Sequence, residues 1–490
     1  MSTPPIASTP LSTSGRYLIL VSAFFGWFCA GFFLATTSLA MQPAAIDLLG
    51  RTGELNVARY HALNKLAPKK GKPKPDAAVF SEADETQLKQ WKGTIARWFA
   101  WYQCAMLFGA ASGGLFFGRL GDRIGRAKAM SLSILMYSTM AAAAYFSQAP
   151  WHLLVLWYLA CTGVGGMWPN GVALVSEAWS SMSRPMAAGI LGTSANIGIF
   201  LMATLSANIP LSPKSWQWVA AAMTELSHVL PLGADASFQN WRWMLAVISV
   251  PFLLGLFSLL TVPESPRWLA ARHEQATGQS AQTSTSEIFR QPLLKITLVG
   301  IALATIPLIG GWGSANWMVP WAIEAGEAAT PPNLHLKANV QQARALTGIV
   351  GSLLGGWIGS LFGRRRSYFV VSFACLACAQ YAFWFVVPTD GDFLFWVAGV
   401  GFFSGIYFGW LPLFLPELFP TRVRSTGAGV SFNFGRILTA VTVFATGALM
   451  ESPFFAGDYA RIGRVTSLIF AVGMIVIWLA PETSEKQLED

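Results

Sequence analysis

Apolar residues fill long continuous stretches of this chain, and the polar residues cluster between those stretches. A stretch of about 20 apolar residues is long enough to cross the hydrocarbon layer of a membrane as a helix. The pattern predicts twelve such helices and therefore an all-α membrane protein. The stretches lie near residues 16–41, 96–117, 128–147, 152–175, 186–207, 242–262, 294–318, 343–361, 367–387, 393–415, 426–449 and 464–480.

A motif at the end of the fourth stretch returns 240 residues later. SEAWSSMSRPMAAG begins at Ser176 and PELFPTRVRSTGAG begins at Pro416, and both carry a glutamate, an arginine and a glycine at the same spacing. Each copy follows a turn rich in glycine and arginine, GRLGDRIGR from Gly118 or GWIGSLFGRRR from Gly356. A period of this length fits two duplicated membrane bundles rather than a solenoid. The sequence therefore predicts two pseudo-symmetric six-helix bundles.

The duplication divides the chain into an N-terminal bundle over residues 1–262 and a C-terminal bundle over 293–490, joined by a cytoplasmic linker at 263–292. The N-terminal bundle carries a long outer loop at 42–95. Because surface loops lengthen at little cost in free energy, a tolerated insertion is the simpler interpretation of this loop. A lid over the outer face is the alternative.

Charged residues are few and unevenly distributed. They make up 12% of the chain, against roughly 25% in an ordinary soluble domain. Lysine and arginine concentrate in alternate loops, which by the positive-inside rule predicts a multi-pass protein of the cell (inner) membrane with both termini in the cytoplasm. The formal net charge of +9 then reflects this bias, and no nucleic-acid partner is expected.

The sequence carries no motif that is typical of an enzyme. It has no nucleotide-binding Gly-Lys-Ser/Thr loop, no metal-spaced set among its five histidines and no nucleophile elbow. All five cysteines fall inside apolar stretches, where free cysteine packs as a small hydrophobic residue. We expect no catalytic residue, no metal ion and no cofactor.

Polar and aromatic side chains within the stretches are candidates for a solute site, since amide and indole groups in a membrane are costly unless paired or hydrated. Helix packing is the alternative for each of them. Arg436 suits an anionic solute, with backbone carbonyls or the cytoplasmic charges as equally good partners. Aromatic walls with amide donors suit a sugar-like solute. The candidates are Thr37, Trp168, Asn170, Asn196, Trp312, Asn316, Tyr407, Trp410, Asn433 and Arg436.

A second set of candidates lies at the predicted cytoplasmic helix ends. Acids and arginines at the same level can pair across the two bundles when the cytoplasmic side is closed, and separate when it opens. Ordinary anchoring by positive charge is the alternative. The predicted gate comprises Gly118, Asp122, Arg123, Gly125, Arg126, Glu177, Arg184, Glu264, Arg267, Glu417, Arg424 and Glu482.

Five segments carry a resemblance to a known family, namely GRLGDRIGR, GVGGMWPNGVALVSEAW, WRWMLAVISVPFLLGLFSLLTVPESPRWL, PELFPTRVRSTGAG and PETSEK. Together they resemble the major facilitator superfamily. The most similar branch is that of the metabolite and sialate proton symporters and their sugar-porter relatives. The resemblance implies twelve transmembrane helices, alternating access, proton symport as the default mode, and sugars, sialic acids or organic acids as solutes.

The chain departs from the pattern of that branch at its ionisable positions. Ala30 and Phe33 stand where the first helix often carries acids, and Ser360 stands where the second gate motif usually has aspartate. Because a proton-coupled carrier needs a titratable group in its core, these departures make uniport an alternative to proton symport.

The sequence thus predicts a secondary transporter that moves a small polar organic solute across the lipid bilayer, as a proton symporter or a uniporter, and that acts as a monomer. A transporter-like receptor that binds a solute without net flux is the alternative.

Overall fold

The fold is helical throughout the part of the chain that the computed structural model describes, namely residues 11–67, 80–179, 184–208, 221, 225, 241–266, 268–270, 285–420, 423–450, 452–455 and 457–483. The helices of the N-terminal half are α1 (Thr13–Leu39), α2 (Met41–Arg51), α3 (Val57–Leu66), α4 (Glu82–Ile124), α5 (Arg126–Ala144), α6 (Pro150–Ala178), α7 (Arg184–Asn208), α8 (Arg242–Ser249) and α9 (Phe252–Thr261). Those of the C-terminal half are α10 (Leu293–Leu308), α11 (Met318–Ala328), α12 (Leu336–Leu361), α13 (Arg364–Phe385), α14 (Phe393–Glu417), α15 (Arg424–Leu449), α16 (Tyr459–Thr466) and α17 (Ile469–Val476).

Nine helical segments of the described residues are long and apolar enough to cross a membrane. They are Thr13–Leu39, Glu82–Ile124, Ile190–Asn208, Arg242–Thr261, Leu293–Ala328, Arg364–Phe385, Phe393–Glu417, Thr426–Leu449 and Tyr459–Leu479. The other three predicted stretches fold as α5, α6 and α12, which have 19, 29 and 26 residues. Each of the twelve predicted stretches therefore coincides with helix.

Three of the predicted spans are interrupted helices. Pro251 separates α8 from α9, since proline has no N–H group and its ring clashes with the preceding turn. In the seventh span α10 ends at Leu308 and is followed by a π turn, Ile309–Ser314, and a 3₁₀ turn, Ala315–Trp317, before α11 begins. Residues 467–468 separate α16 from α17.

The segment at 42–95, which the sequence predicts as an outer loop, contains helices in its described part. It contains α2, α3 and the first turns of α4, which begins with a capping box between Ser81 and Asp84. Leu48 and Leu49 of α2 are buried against the bundle. Both extra helices are too short and too polar to stand out among spans of about 20 apolar residues.

The two halves repeat the same close helix packing. α4 and α5 pack on α6 in the first half, and α12 and α13 pack on α14 in the second. A Cβ atom at Gly113 would lie 1.8 Å from the carbonyl oxygen of Thr162, and one at Gly351 would lie 2.1 Å from that of Phe402. These positions are equivalent in the two copies, so the duplication seen in the sequence is also present in the backbone contacts.

The halves are in close contact at one end of the bundle. We call this end, where α1 ends and α4 begins, the α2–α3 end, and we call the opposite end, which carries Gly125 and Gly363, the motif end. At the α2–α3 end one buried apolar cluster contains side chains of both halves, with the Trp317 ring 5.3 Å from Phe99 and 5.8 Å from Tyr459. Across the interface α4 packs against α15 and α7 packs against α12.

Candidate functional site

A buried polar cluster joins the halves next to the α2–α3 end, and Asn316 is at its centre. The hydroxyl of Ser38 on α1 donates to Asn316 Oδ1 at 2.8 Å, and Asn316 Nδ2 donates to Gln103 Oε1 on α4 at 2.8 Å. Arg344 Nη1 on α12 donates to the same Asn316 Oδ1 at 3.2 Å. Ser38, Gln103 and Asn316 are almost completely buried. We call these four residues the Asn316 cluster.

The position of Asn316 follows from the break in the seventh span. Pro307 and three glycines precede it, and the chain there changes from α-helix to π turn to 3₁₀ turn. Such changes of helix type turn side chains away from the register of a regular helix. Asn316 is thereby directed at the N-terminal half, where it contacts Ser38 and Gln103.

The Asn316 cluster has more donors than acceptors. Besides Asn316, Arg344 Nη1 donates to the carbonyl oxygen of Ala315 at 3.3 Å. The Nε2 group of Gln103 is buried and has no hydrogen-bond partner among the described residues. Because a buried donor without a partner is unfavourable, the cluster is suited to an acceptor-rich ligand.

Arg436 lies deeper in the bundle, also at the interface. Its Nη1 donates to the carbonyl oxygen of Ala110 on α4 at 3.3 Å, and its Cζ lies 4.8 Å from the centre of the Phe432 ring. Within the described part of the chain, neither Arg436 nor Arg344 has a carboxylate within ion-pair distance, since each contacts neutral groups only. The interface therefore holds two guanidinium groups whose charge is not neutralised by those residues.

Two further solute-site candidates face the interface. Asn196 on α7 donates to the hydroxyl of Ser352 on α12 at 3.3 Å. Asn433 on α15 packs against α4, where a Cβ atom at Gly114 would lie 2.9 Å from its Oδ1. A third candidate, Trp168, is half-buried within the N-terminal half, with its ring 4.9 Å from that of Trp27 on α1.

The remaining candidates pack within one half or within the apolar cluster. Thr37 donates to the carbonyl oxygen of Phe33, and Asn170 donates to those of Phe117 and Gly166. Tyr407 and Trp410 are buried inside the C-terminal half beside Tyr368. Trp312 is half-buried against the apolar cluster that joins the halves.

At the motif end of the N-terminal half, three acids surround Arg126 at the start of α5. Its guanidinium lies 2.6 Å from Asp122 and 4.0 Å from Glu177. The Glu264 carboxylate accepts from the N–H group of Arg126 at 2.8 Å and also from that of the next residue, at the start of α5. Gly125 joins α4 to α5 with φ +112°, a conformation that favours glycine. A carboxylate at a helix N-terminus is favourable, because the free N–H groups there carry partial positive charge.

The C-terminal half repeats this arrangement with a tighter ion pair. Arg364 donates to Glu417 through two nitrogens, at 3.1 and 2.8 Å, and Glu417 also accepts from the hydroxyl of Thr483 at 2.6 Å. The carboxylate of Glu482 accepts from the Arg364 N–H group at 2.9 Å, at the start of α13. Gly363, with φ +82°, occupies the place of Gly125. Each of the two described sets of charges therefore lies within a single half of the molecule.

For the other predicted gate residues, the structure gives no charged contact among the described residues. Arg123 lies in the last turn of α4, and Gly118 has open space where a Cβ atom would be. Arg184 and Arg424 are the first residues of α7 and α15, and their side chains lie outside the described residues, as does all of Arg267.

Polar contacts also link the halves at the α2–α3 end. Lys92 on α4 forms an ion pair with Glu324 on α11, and His61 Nδ1 lies 3.6 Å from a carboxylate oxygen of Glu327. Gln42 donates to the Tyr459 hydroxyl at 3.1 Å. Burial, with Glu324 nearby, raises the pKa of Tyr60 well above its usual value, so this phenol stays neutral.

The candidates predicted from the sequence do not include Gln103, Arg344 or Arg364, although the structure places them in the clusters described above. Arg364 could have been found, because it occupies the place of Arg126 in the second copy of the motif. Arg344 was visible as an isolated charge at the start of the stretch 343–361. Gln103 carries no such signal. Among the described residues, no three histidine, cysteine or acidic side chains are grouped so that they could hold a metal ion.

Residues 98–443 match the family described as the Major Facilitator Superfamily. The inner membrane metabolite transport protein YhjE of Escherichia coli K12 is 25% identical over 397 residues, covering 77% of this chain and 82% of that protein. The gentisate transporter of Corynebacterium glutamicum is 24% identical over 384 residues, covering 76% and 78%. The inward-open xylose transporter XylE from E. coli has the same fold, with a TM-score of 0.62 and 14% identity over 96% of this chain and 98% of that chain.

Proposed function

Since the chain belongs to the Major Facilitator Superfamily, it is a multi-pass membrane transporter and not an enzyme, and we propose that its solute is a small organic molecule that carries a carboxylate. The proposal includes alternating access, in which the two six-helix bundles expose a site between them to each side of the membrane in turn.

The observation that carries the proposal is the environment of Arg436. Its guanidinium lies between the halves with the Ala110 carbonyl oxygen as its described polar partner. An ionisable side chain inside a membrane protein is costly and usually marks a solute or ion pathway. A carboxylate would supply the opposite charge and a planar pair of acceptors that matches the guanidinium. Gentisate, the solute in the name of one relative, is such a carboxylate.

The contacts between the halves support an assignment of the conformation. Described polar contacts between the halves extend from Lys92 and Glu324 at the α2–α3 end to Arg436 and Ala110 in the middle of the bundle. At the motif end the described pairs, Arg364 with Glu417 among them, lie within one half. By the positive-inside rule the motif end is cytoplasmic. We infer that the described conformation is closed to the outside.

The distribution of acids supports uniport over proton symport. None of the twelve apolar stretches contains aspartate or glutamate. A carboxylate near the middle of the membrane is the usual proton-binding group of a symporter. Without one, the proposed transporter moves its solute down the electrochemical gradient of that solute.

Uptake of labelled solutes into proteoliposomes tests the function. We expect uptake of gentisate or another organic acid, and no uptake of the neutral sugar xylose. An imposed proton gradient should leave the rate unchanged beyond its effect on membrane potential, which a potassium and valinomycin clamp removes. Arg436→Gln should lower uptake by about tenfold or more, through the loss of a charge-assisted bidentate contact.

Each contrary result has a definite meaning in this experiment. Accumulation driven by the proton gradient under the voltage clamp would replace uniport with symport. Uptake of xylose alone would replace the organic acid with a sugar. Binding without uptake would instead make the protein a solute receptor.

A further inference from the structure

We propose that Arg344 is a second anion-binding residue of the transport site and that the solute is a dicarboxylate, with one carboxylate on Arg344 and the other on Arg436. This inference rests on the transport function proposed above and names the substrate class of the same site.

The described contacts of Arg344 leave most of its guanidinium available. A guanidinium group has five N–H donors in a planar fork. In Arg344 only Nη1 donates to described residues, and both acceptors, the Ala315 carbonyl oxygen and Asn316 Oδ1, are neutral. The residue as a whole is half-buried. A ligand carboxylate can therefore bind the fork without displacing a protein carboxylate.

A second donor lies beside Arg344. Asn316 links Arg344 to Gln103, whose Oε1 is occupied and whose buried Nε2 has no partner in the described part of the chain. Gln103 is completely buried, so water from the bulk does not satisfy this group in the described conformation. An incoming carboxylate has two oxygens and several lone pairs, enough for both the guanidinium and the amide. The chemistry of the Asn316 cluster thus fits an anion better than a neutral hydroxyl compound.

The contacts of the two arginines lie at two different levels of α4. Arg344 is tied through Asn316 to Gln103, and Arg436 contacts Ala110. Gln103 and Ala110 are seven residues apart on the same helix. At 1.5 Å per residue this corresponds to about 10 Å along the helix axis. A short carbon chain with a carboxylate at each end, plus hydrogen bonds of about 2.9 Å, is of the same order of length as this spacing between the two levels.

Binding at Arg344 would also be linked to closure of the α2–α3 end. Asn316 Oδ1 accepts from Arg344 and from Ser38 on the opposite half. A carboxylate that orders the Arg344 side chain therefore supports the contact that holds α1 against the seventh span. The far carboxylate reaches Arg436, nearer the middle of the bundle. A diacid would thus favour the closed state more than a monoacid does, because only the diacid engages both arginines.

Matched acids test the proposal on the full-length protein in nanodiscs, with binding measured by calorimetry. Fumarate is compared with crotonate, and adipate with hexanoate; in each second acid a methyl group replaces one carboxylate. We expect at least one diacid to bind about tenfold more tightly than its monoacid partner, as a second charge-assisted contact predicts. Arg344→Gln should reduce this ratio to about one, mainly by weakening the diacid, and Arg344→Lys should give an intermediate ratio.

A control variant separates the loss of one positive charge from the loss of an arginine at the proposed site. Arg59→Gln removes one arginine whose side chain is 58% exposed on α3, and should leave the ratio of diacid to monoacid binding unchanged. Equal binding of diacids and monoacids by the unmodified protein would overturn the two-arginine site while leaving carboxylate transport in place. An unchanged ratio in Arg344→Gln would overturn the role of Arg344. Failure to bind any of the four acids would count against the carboxylate proposal itself.

Discussion

Arg364 donates two hydrogen bonds to the carboxylate of Glu417, whereas the equivalent residues of the first half, Arg126 and Glu177, are 4.0 Å apart. The exposed fractions of the two side chains are 8% and 6% in the C-terminal pair, and 23% and 19% in the N-terminal pair. Arg126 also contacts Asp122, whose place in the second copy is taken by Ser360. The duplicated motif has therefore become asymmetric, with a rigid pair in one half and a looser, shared one in the other.

This asymmetry predicts unequal effects of the same substitution. Glu417→Gln should lower the free energy of unfolding by about 3 kcal/mol, because it leaves the buried Arg364 charge without its partner. Glu177→Gln should cost about 1 kcal/mol or less, since that pair is longer and more exposed. Denaturant unfolding of the two variants in the same detergent provides the comparison. Equal losses in both variants would contradict the assigned difference.

Two glycines at the motif end predict a second difference between the halves. Gly125 and Gly363 both have positive φ, so alanine at either position should cost about 1–2 kcal/mol in backbone strain. At Gly125 the new Cβ atom would also lie 2.0 Å from the Glu264 carboxylate, whereas at Gly363 the Glu482 carboxylate is 3.6 Å away. Gly125→Ala should therefore be the more destabilising substitution.

Melting temperatures of Gly125→Ala and Gly363→Ala in nanodiscs measure this difference. Glu264→Gln is a useful third variant, since it weakens the same contact at the start of α5 without changing the backbone. A larger loss in Gly363→Ala than in Gly125→Ala would show that the Glu264 contact does not matter.

Most of the fold was predictable because its signals are local or repeated. The apolar stretches predict the spans, and the duplicated motif predicts equivalent contacts such as Gly113 on Thr162 and Gly351 on Phe402. The acids that cap α5 and α13, Glu264 and Glu482, also appear among the predicted gate residues. The spans, the repeated glycine contacts and the capping acids could therefore all be predicted from regular patterns in the sequence.

The centre of the site was less predictable because it depends on tertiary geometry. Asn316 was a candidate by residue type, but its partners Gln103 and Arg344 lie 213 and 28 residues away in the chain. Their meeting depends on the π turn at Ile309–Ser314, whose change of register no hydropathy pattern reveals. Tyr407 and Trp410 were candidates because they are aromatic residues near the middle of a predicted span. In the structure both are buried inside the C-terminal half and do not belong to the Asn316 cluster.

The break in the seventh span predicts different results at adjacent glycines. A Cβ atom at Gly310 would lie 2.1 Å from the ring of Phe470, so Gly310→Ala should cost about 1–3 kcal/mol through overpacking. At Gly311 nothing lies within 4 Å, so alanine should be tolerated and should favour regular helix by about 0.5–1 kcal/mol.

Stability and uptake together separate the two roles. Gly311→Ala should keep the melting temperature and lower the uptake rate, because a regular helix opposes the π turn. Gly310→Ala should lower both quantities. A Gly311→Ala variant with unchanged uptake would show that the π turn is not needed for the transport cycle.

The ion pair between Lys92 and Glu324 predicts a shift in the conformational equilibrium. It links α4 to α11 across the interface, and its side chains are 15% and 25% exposed. A partly exposed pair contributes at most about 1 kcal/mol, which corresponds to roughly a fivefold change in an equilibrium constant. Lys92→Gln should therefore raise the ratio of protein open at the α2–α3 end to protein closed there by up to that factor.

The measurement is the distance distribution between spin labels at Glu54 and Leu334, which lie in exposed turns on opposite halves. Lys89→Gln removes the same charge from a pair with Glu85 inside α4, and should leave the distribution unchanged. If both variants shift the distribution equally, the change reflects net charge, and the Lys92 contact does not hold the α2–α3 end closed.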